Sequence, residues 1–326
     1  MSVQKPNLSN NDISNVVKNE LRELIEKHGP FTAQNFDLGG GIYTIDEHVN
    51  FDHFKLNRIK QLVNDFGNVQ AGTTLLDIAS LESMFAIEFA MDGLEVTSIE
   101  GRESNLVKGK FVADKLNLSN IKFFEDDVTN IKPETYGQFD IILCLGILYH
   151  INKDKYLAFL KNITASCNDI LIIDTFISLR GGEILEHDGH AYDGTTWREF
   201  EEFSSPQEKE DNKHASLNDN LSYSMTKESL VAYLDYLGYS SVCEMHLPAQ
   251  PNSPKDRITL LCKKGSPVSL KVFPKFNYTE NFKAVIDTRG IGKNSTVHWN
   301  ENIVKKYLRR IYRYSRNLIK RWLRIN

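Results

Sequence analysis

From Asp12 to His28, apolar Ile13, Val16, Val17, Leu21, Leu24 and Ile25 return at helical spacing. Asn and Asp stand ahead of them and Gly29-Pro30 behind, which predicts an amphipathic helix with a defined stop. Residues 31–55 hold Gly39-Gly40-Gly41 and the strand-like GIYTI, and 55–66 predict a second helix leading into the loop GNVQAG. Three glycines ahead of a strand predict a turn, because no helix N-terminus follows to meet a phosphate. From Thr73 the pattern changes to short apolar runs at 74–78, 95–100, 121–125, 139–145 and 169–176, with helical periods at 82–92, 103–116 and 153–166 between them. That alternation predicts a mostly parallel sheet with helices on both faces. Residues 180–223 lose the rhythm in EHDGH, WREFEEF and the charged QEKEDNKH, and are expected to form an irregular insertion that covers the substrate, with the run 207–214 as solvated surface. A helix capped by Thr226 and two more strands, at 241–247 and 257–264, complete a sheet of seven.

With 41% hydrophobic residues, a chain of 326 can fill one large core or two modest ones. No run approaches the roughly 18 apolar residues that span a bilayer, and the first eleven residues lack the apolar segment of a signal peptide, so the expected compartment is the cytoplasm. Cys144, Cys167, Cys243 and Cys262 sit far apart, mostly in apolar runs, which suits reduced, buried thiols. His187-x-x-His190 has metal-ligand spacing without a distant third ligand, and no metal is expected.

The net charge of −4 hides an asymmetry, since residues 301–326 carry nine Lys or Arg against Glu301 alone, leaving the rest of the chain at −12. Along the tail, Val304, Leu308, Ile311, Leu318, Trp322 and Ile325 keep a four-three spacing opposite the basic residues. Such a helix suits an anionic membrane surface, which would place the protein on the inner face of a membrane; it also suits RNA phosphates or the acidic body of the same chain. The expected organisation is an N-terminal helical cap (1–70), a catalytic domain (71–265) with its insertion (180–223), a linker (266–300) and a basic amphipathic helix (301–326).

In an open parallel sheet the ligand lies beyond the carboxyl ends of the strands. Asp77 ends the first run and opens the loop Ile78, Ala79, Ser80, Leu81, Glu82, Ser83, which lacks the Gly-x-Gly-x-x-Gly that cradles a pyrophosphate. A cofactor without phosphates, carrying an amino-acid zwitterion and a sulfonium, needs close backbone approach and an acidic neighbour instead. Glu100, with Gly101 and Arg102 after it, follows Asp77 by 23 residues, near the spacing at which a carboxylate meets ribose hydroxyls. Asp126 and Asp127 suit an adenine amino group, the Val128 N–H its ring edge, and Cys144-Leu145-Gly146 the methionine part. Each strand-end carboxylate also reads as a helix cap.

The order LLDIASLES, VTSIEGR, FFEDDV, FDIILCLGILYHI resembles class I S-adenosylmethionine-dependent methyltransferases from about residue 30 to 265. PFTAQNFDL…GIYTI, IEGRESNL, LGILYH and SYSMTKESLVAYLDYLGYSSV look like the branch related to tRNA wobble-uridine carboxymethyltransferases. The resemblance implies a Rossmann-like, seven-stranded sheet with a reversed last strand, S-adenosyl-L-methionine as cofactor, and Asp77, Ala79, Glu100, Asp127 and Leu145 around it. Ala79 and Ser83 stand where the family commonly has glycine, so the site is either tuned or silenced.

Methyl transfer to a neutral hydroxyl needs alignment and a base, for which His150, His187 and His190 are candidates, the first also reading as a turn residue and the others as a solvated loop. Tyr192, Trp197, Glu199, Ser222 and Tyr223 either shape an acceptor pocket or pin the insertion to the core. The expected acceptor is a small molecule or a sugar unit, methylated on oxygen. An RNA-modifying enzyme is disfavoured by the acidic body, and a catalytically silent, membrane-associated cofactor-binding protein is the remaining alternative.

Overall fold

The structure, a computed structural model, describes residues 10–32, 34–46, 53–246 and 254–268. The expected linker and basic helix at 266–326 fall outside these residues from Ser269 onward. The chain runs α1 (Asn10–His28), α2 (His53–Phe66), β1 (Thr74–Ile78), α3 (Met84–Met91), β2 (Glu95–Glu100), α4 (Glu103–Lys115), β3 (Ile121–Glu125), α5 (Pro133–Tyr136) and β4 (Phe139–Leu145). It continues through α6 (Lys153–Ala165), β5 (Cys167–Phe176), β6 (Glu183–His187), β7 (His190–Arg198), α7 (Pro206–Asp211), β8 (Leu221–Met225), α8 (Lys227–Tyr236), β9 (Ser241–Glu244) and β10 (Arg257–Lys263).

Seven strands form one sheet in the order β3-β2-β1-β4-β5-β10-β9, the first five parallel and β10 antiparallel to both of its neighbours. β1 and β4 are apolar at nearly every position because helices cover both faces. The two-residue alternation of a strand then divides the core. Leu76, Ile78, Ile142 and Cys144 join α6 and α8 on one side, while Leu75, Ile141 and Leu143 join α1, α2 and α3 on the other. Phe31, Phe36, Ile42, Ile59 and Leu62 are buried in that second cluster, so the N-terminal segment shares the core of the sheet.

Two expectations differ from what the chain does. GIYTI is not a strand: Gly39, Gly40 and Gly41 all take positive φ and reverse the chain, leaving an isolated bridge from Asp37 to Tyr43. The insertion is not irregular either, since β6, β7 and β8 form a separate three-stranded antiparallel sheet. Its β6–β7 turn is Asp188-Gly189, both at positive φ, which suits a tight hairpin. All four cysteines are free thiols, with Cys144, Cys167 and Cys262 buried.

Candidate functional site

A cavity of about 250 Å³ opens beyond the carboxyl ends of β1, β2 and β4. Ala79, Glu100, Gly101, Arg102, Asp126, Asp127, Val128, Leu145 and His150 line it, as the strand-end pattern expects. Asp77, Ser80 and Ser83, although nominated with them, do not. Asp77 is buried behind the loop, where the Ala86 N–H donates to its Oδ2 at 3.2 Å, so it holds the first turn of α3. Burial pushes its carboxyl up to about 7, partly opposed by that hydrogen bond and by Lys55.

The loop keeps a glycine-type path without glycines. Ala79, Leu81 and Ser83 take φ of 53°, 51° and 68°, a left-handed conformation costing about 1 kcal/mol or more at each such residue. Side chains behind the loop hold that conformation. Ser80, Ser83 and Ser98 hydroxyls form a buried triangle with edges of 2.7 to 3.1 Å. Buried Glu82 accepts from the Thr32 and Gln34 backbone N–H groups at 2.7 and 3.0 Å and lies 3.6 Å from Lys108 Nζ. The Gln34 side chain in turn accepts from the Met84 N–H at 2.7 Å. Glu82, out of place in a phosphate loop, fastens the N-terminal segment to it.

Glu100 closes the loop from the second strand. Its Oε2 accepts from the Leu81 N–H at 2.8 Å and its Oε1 from the Arg102 N–H at 2.9 Å. Burial raises its pKa, while these backbone donors pull it back down. Asn105 Nδ2 also donates to Oε1, at 3.4 Å, whereas Oε2 keeps a second lone pair, so the group can position the loop and still accept from a ligand hydroxyl. Asp126 accepts from Tyr136 Oη at 2.5 Å and from Asn130 at 2.7 Å; burial would raise its pKa, but these donors and the Asp127 N–H hold it below the usual carboxylate range. Asp127 accepts from the N–H of Thr129 at 2.8 Å and so caps a short turn that begins at Val128.

Sequence reasoning missed what covers the cavity. Residues 213–219, partly assigned to solvated surface, line it. Arg102 anchors them, its guanidinium donating to the carbonyls of Lys209, Asn212, Ala215 and Ser216 at 3.1 to 3.2 Å. Leu217 presses against Gly101, where an added Cβ would stand 2.7 Å from its Cδ2. The segment's charged side chains fasten it as well, Glu210 accepting from Ser104 Oγ at 3.1 Å and Lys213 Nζ donating to that oxygen at 2.9 Å, but a charged run reads the same whether it is fastened or solvated. Lys55 and Arg257 also line the cavity and converge on buried Asp174 Oδ1, at 3.3 and 2.6 Å. Burial opposes ionisation of Asp174, but the two cations bring its pKa below the usual value. The only sequence cue to this cluster was an Asp inside an apolar strand.

Of the three candidate histidines the structure brings one to the site. His150 Nδ1 lies 2.6 Å from Glu199 Oε1, and a carboxylate there requires the proton on Nδ1, leaving Nε2 as the acceptor of the neutral ring. Glu199 is itself buried and also accepts from the Ser216 N–H and the Ser222 hydroxyl. His187 and His190 flank the β6–β7 turn and line neither this cavity nor its neighbour, because their rings lie 5.6 and 5.7 Å from that of Tyr236. Among the described residues no group of three metal-ligating side chains stands together. Tyr192 and Tyr223 are core residues, whereas Trp197 remains 39% exposed. No helix among the described residues is long and apolar enough to cross a membrane.

No family model matches the chain. It is 28% identical over 81 residues to a ubiquinone biosynthesis O-methyltransferase of Acinetobacter baumannii, covering 25% of this chain and 34% of that protein. It is 23% identical over 165 residues to the protein of the same name from Rickettsia prowazekii, covering 50% and 61%. The chain thus spans about a third of the length of the first of these curated relatives. Among solved structures it is similar to the N-terminal domain of EvdMO1, described in the presence of SAH and D-fucose, with 20% identity, 76% of this chain and 97% of that one covered, and a TM-score of 0.59. The five parallel strands, the reversed β10 and this likeness together give the chain the fold of class I S-adenosylmethionine-dependent methyltransferases.

Proposed function

We propose that the protein is an S-adenosyl-L-methionine-dependent methyltransferase that acts on a hydroxyl of a small molecule or sugar unit. The observation that carries this reading is the order of groups around one cavity: the left-handed loop after β1, Glu100 after β2, Asp126 to Val128 after β3 and Leu145 at the end of β4. Glu100 would accept from the ribose hydroxyls, Asp126 to Val128 would flank the adenine, and Ala79 and Leu145 would border the methionine part. The cofactor supplies an activated methyl group, and the chain supplies alignment and a dry pocket. The cavity is below the roughly 300 Å³ at which sites for drug-sized ligands begin. Residues 213–219, which cover the cavity, would have to shift outward to admit a nucleoside.

His150 is the base in this reading. Glu199 fixes its tautomer, and Nε2 would take the proton of the acceptor hydroxyl that receives the methyl group. The Ser216 N–H on Glu199 couples the cover to the base. The curated relatives are named as O-methyltransferases and the structural neighbour is described with a sugar, which supports oxygen as the methylated atom. Calorimetry with S-adenosylhomocysteine tests the cofactor site, and absence of binding at millimolar concentration would end the reading. Mass spectrometry after incubation with deuterated-methyl cofactor and cell extract then identifies the acceptor.

The finer likeness to tRNA wobble-uridine carboxymethyltransferases rests on IEGRESNL and LGILYH. Filter binding to tRNA at rising salt tests it, against the opposing −12 charge of residues 1–300. Association of residues 301–326 with anionic membrane is tested by vesicle sedimentation of the full chain and a chain ending at residue 300, equal partitioning excluding it.

A further inference from the structure

Beside the first cavity lies a second, of about 460 Å³, bounded by the ends of β5, β7 and β8. Tyr149 lines both. The second has an aromatic wall: the Tyr149 ring meets Phe176 edge-on at 4.9 Å and lies 28° from parallel with Trp197 at 6.5 Å. The His150 ring is 6.1 Å from that of Trp197, which puts the base at the border between the two spaces.

The polar groups of this cavity divide into braced and unpartnered ones. Ser178 Oγ and Thr195 Oγ1 are 2.8 Å apart, Thr195 donates to the Gly181 carbonyl at 3.1 Å, and the Gly181 N–H donates to Ser178 Oγ at 3.0 Å. That brace fixes the turn carrying Arg180. The Arg180 guanidinium and the Asp256 carboxylate, both lining the cavity, have no side-chain partner among the described residues. One offers only donors and the other only acceptors. A wholly apolar ligand would take water from both and pair neither. An anion would face Asp256, and a cation Arg180. A neutral ring with an apolar face and several hydroxyls satisfies all three features, with its C–H face on the exposed indole and its hydroxyl pairs on the two charged groups.

We propose that this second cavity is the acceptor subsite and that it takes a neutral hexopyranose unit, stacked on Trp197 and held through hydroxyls by Arg180 and Asp256. The assignment rests on the methyltransferase reading for its role, but not for its ligand. A sugar seated there presents a hydroxyl toward His150 and the first cavity, so methyl transfer crosses the border marked by Tyr149.

Saturation-transfer NMR on the full chain, with and without S-adenosylhomocysteine, tests it with D-fucose, D-glucose, D-glucuronate, D-glucosamine and catechol as probes. Ring protons of the two neutral sugars are expected to saturate, and Trp197→Ala is expected to weaken their binding about tenfold or more. Arg180→Gln and Asp256→Asn, conservative changes at unpartnered side chains, are each expected to weaken it several-fold. All three variants are expected to retain the wild-type affinity for S-adenosylhomocysteine. Equal saturation in wild type and all three variants, preference for a charged sugar or for catechol, or no sugar signal would each overturn the proposal. If S-adenosylhomocysteine fails to bind while the neutral sugars bind, the methyltransferase reading falls and the sugar site stands. If it binds and the sugars do not, the subsite alone falls.

Discussion

The Ser83 hydroxyl occupies the space that a side chain at Gly109 would need: a Cβ added at residue 109 would stand 2.6 Å from Ser83 Oγ and 3.0 Å from its Cβ. The chain thus keeps a serine in the loop and places a glycine opposite it on α4, where the helix approaches the loop. Gly109→Ala is expected to destabilise the protein by about 1–3 kcal/mol through overpacking. Ser83→Gly loses hydroxyl contacts but relieves a positive φ, so its own effect is small. The double variant should recover about 1 kcal/mol or more relative to the sum of the singles, read from urea midpoints. Strict additivity would show that the two positions do not exchange volume.

Much of this was legible in the chain and some was not, for identifiable reasons. All seven strands of the main sheet announced themselves, β1, β4 and β5 as short apolar runs buried on both faces, and the half-exposed β3 and β9 as short runs that complete the strand-helix alternation. The second sheet was hidden because β6 and β7 are half exposed and carry charges, so their alternation is diluted. Eight of eleven nominated cofactor residues reach the cavity, since the end of a parallel strand fixes where its last side chains lie. Asp77, Ser80 and Ser83 do not line it, because adjacent residues on a loop point in different directions, which spacing alone does not resolve. Arg102 lines the cavity as expected and also anchors a distant segment, a role that spacing does not reveal.

That anchor can be tested directly. Arg102→Ala removes the donor shared by four carbonyls of residues 209–216 and leaves them to water. Amide exchange of residues 205–219 is expected to rise about tenfold or more while the strands of the main sheet keep their protection. Arg102→Lys should restore part of it, because all four carbonyls converge on the single Nη2, a point contact that an ammonium can imitate though from a shorter reach. Unchanged exchange over this segment would mean that Leu217, Glu199 and the Ser104 contacts of Glu210 and Lys213 hold the cover without Arg102.

Asp77 sets a pH dependence on stability. Its folded-state pKa, pushed up to about 7 chiefly by burial, lies above that of an exposed aspartate. Between about pH 4 and about pH 7 the folded chain therefore holds a proton that the unfolded chain has lost, and this contribution declines as pH rises through that window. The decline is on the order of 4 kcal/mol at most. Asp77→Asn keeps an acceptor for the Ala86 N–H and removes the titration. Urea midpoints at about pH 5 and about pH 8 should therefore differ less for the variant than for wild type. Equal differences would show that Asp77 ionises as freely folded as unfolded.

The last expectation separates His150 from the two histidines that the sequence placed beside it. His150 lines the cavity with Nδ1 on buried Glu199, while His187 and His190 rest on Tyr236 at the far end of a hairpin. His150→Ala is expected to lower kcat about 100-fold or more, the usual worth of a positioned base, with little change in affinity for S-adenosylhomocysteine. His187→Ala and His190→Ala should leave kcat within about twofold and register, if anywhere, as a small loss of stability. Glu199→Gln should lower kcat and also loosen residues 213–219, because Glu199 accepts from the Ser216 N–H as well as from His150. The measurements are steady-state rates on the acceptor identified by deuterated-methyl labelling, with amide exchange over residues 213–219 alongside. Full turnover by His150→Ala would remove the base from the mechanism and leave alignment alone to account for the rate.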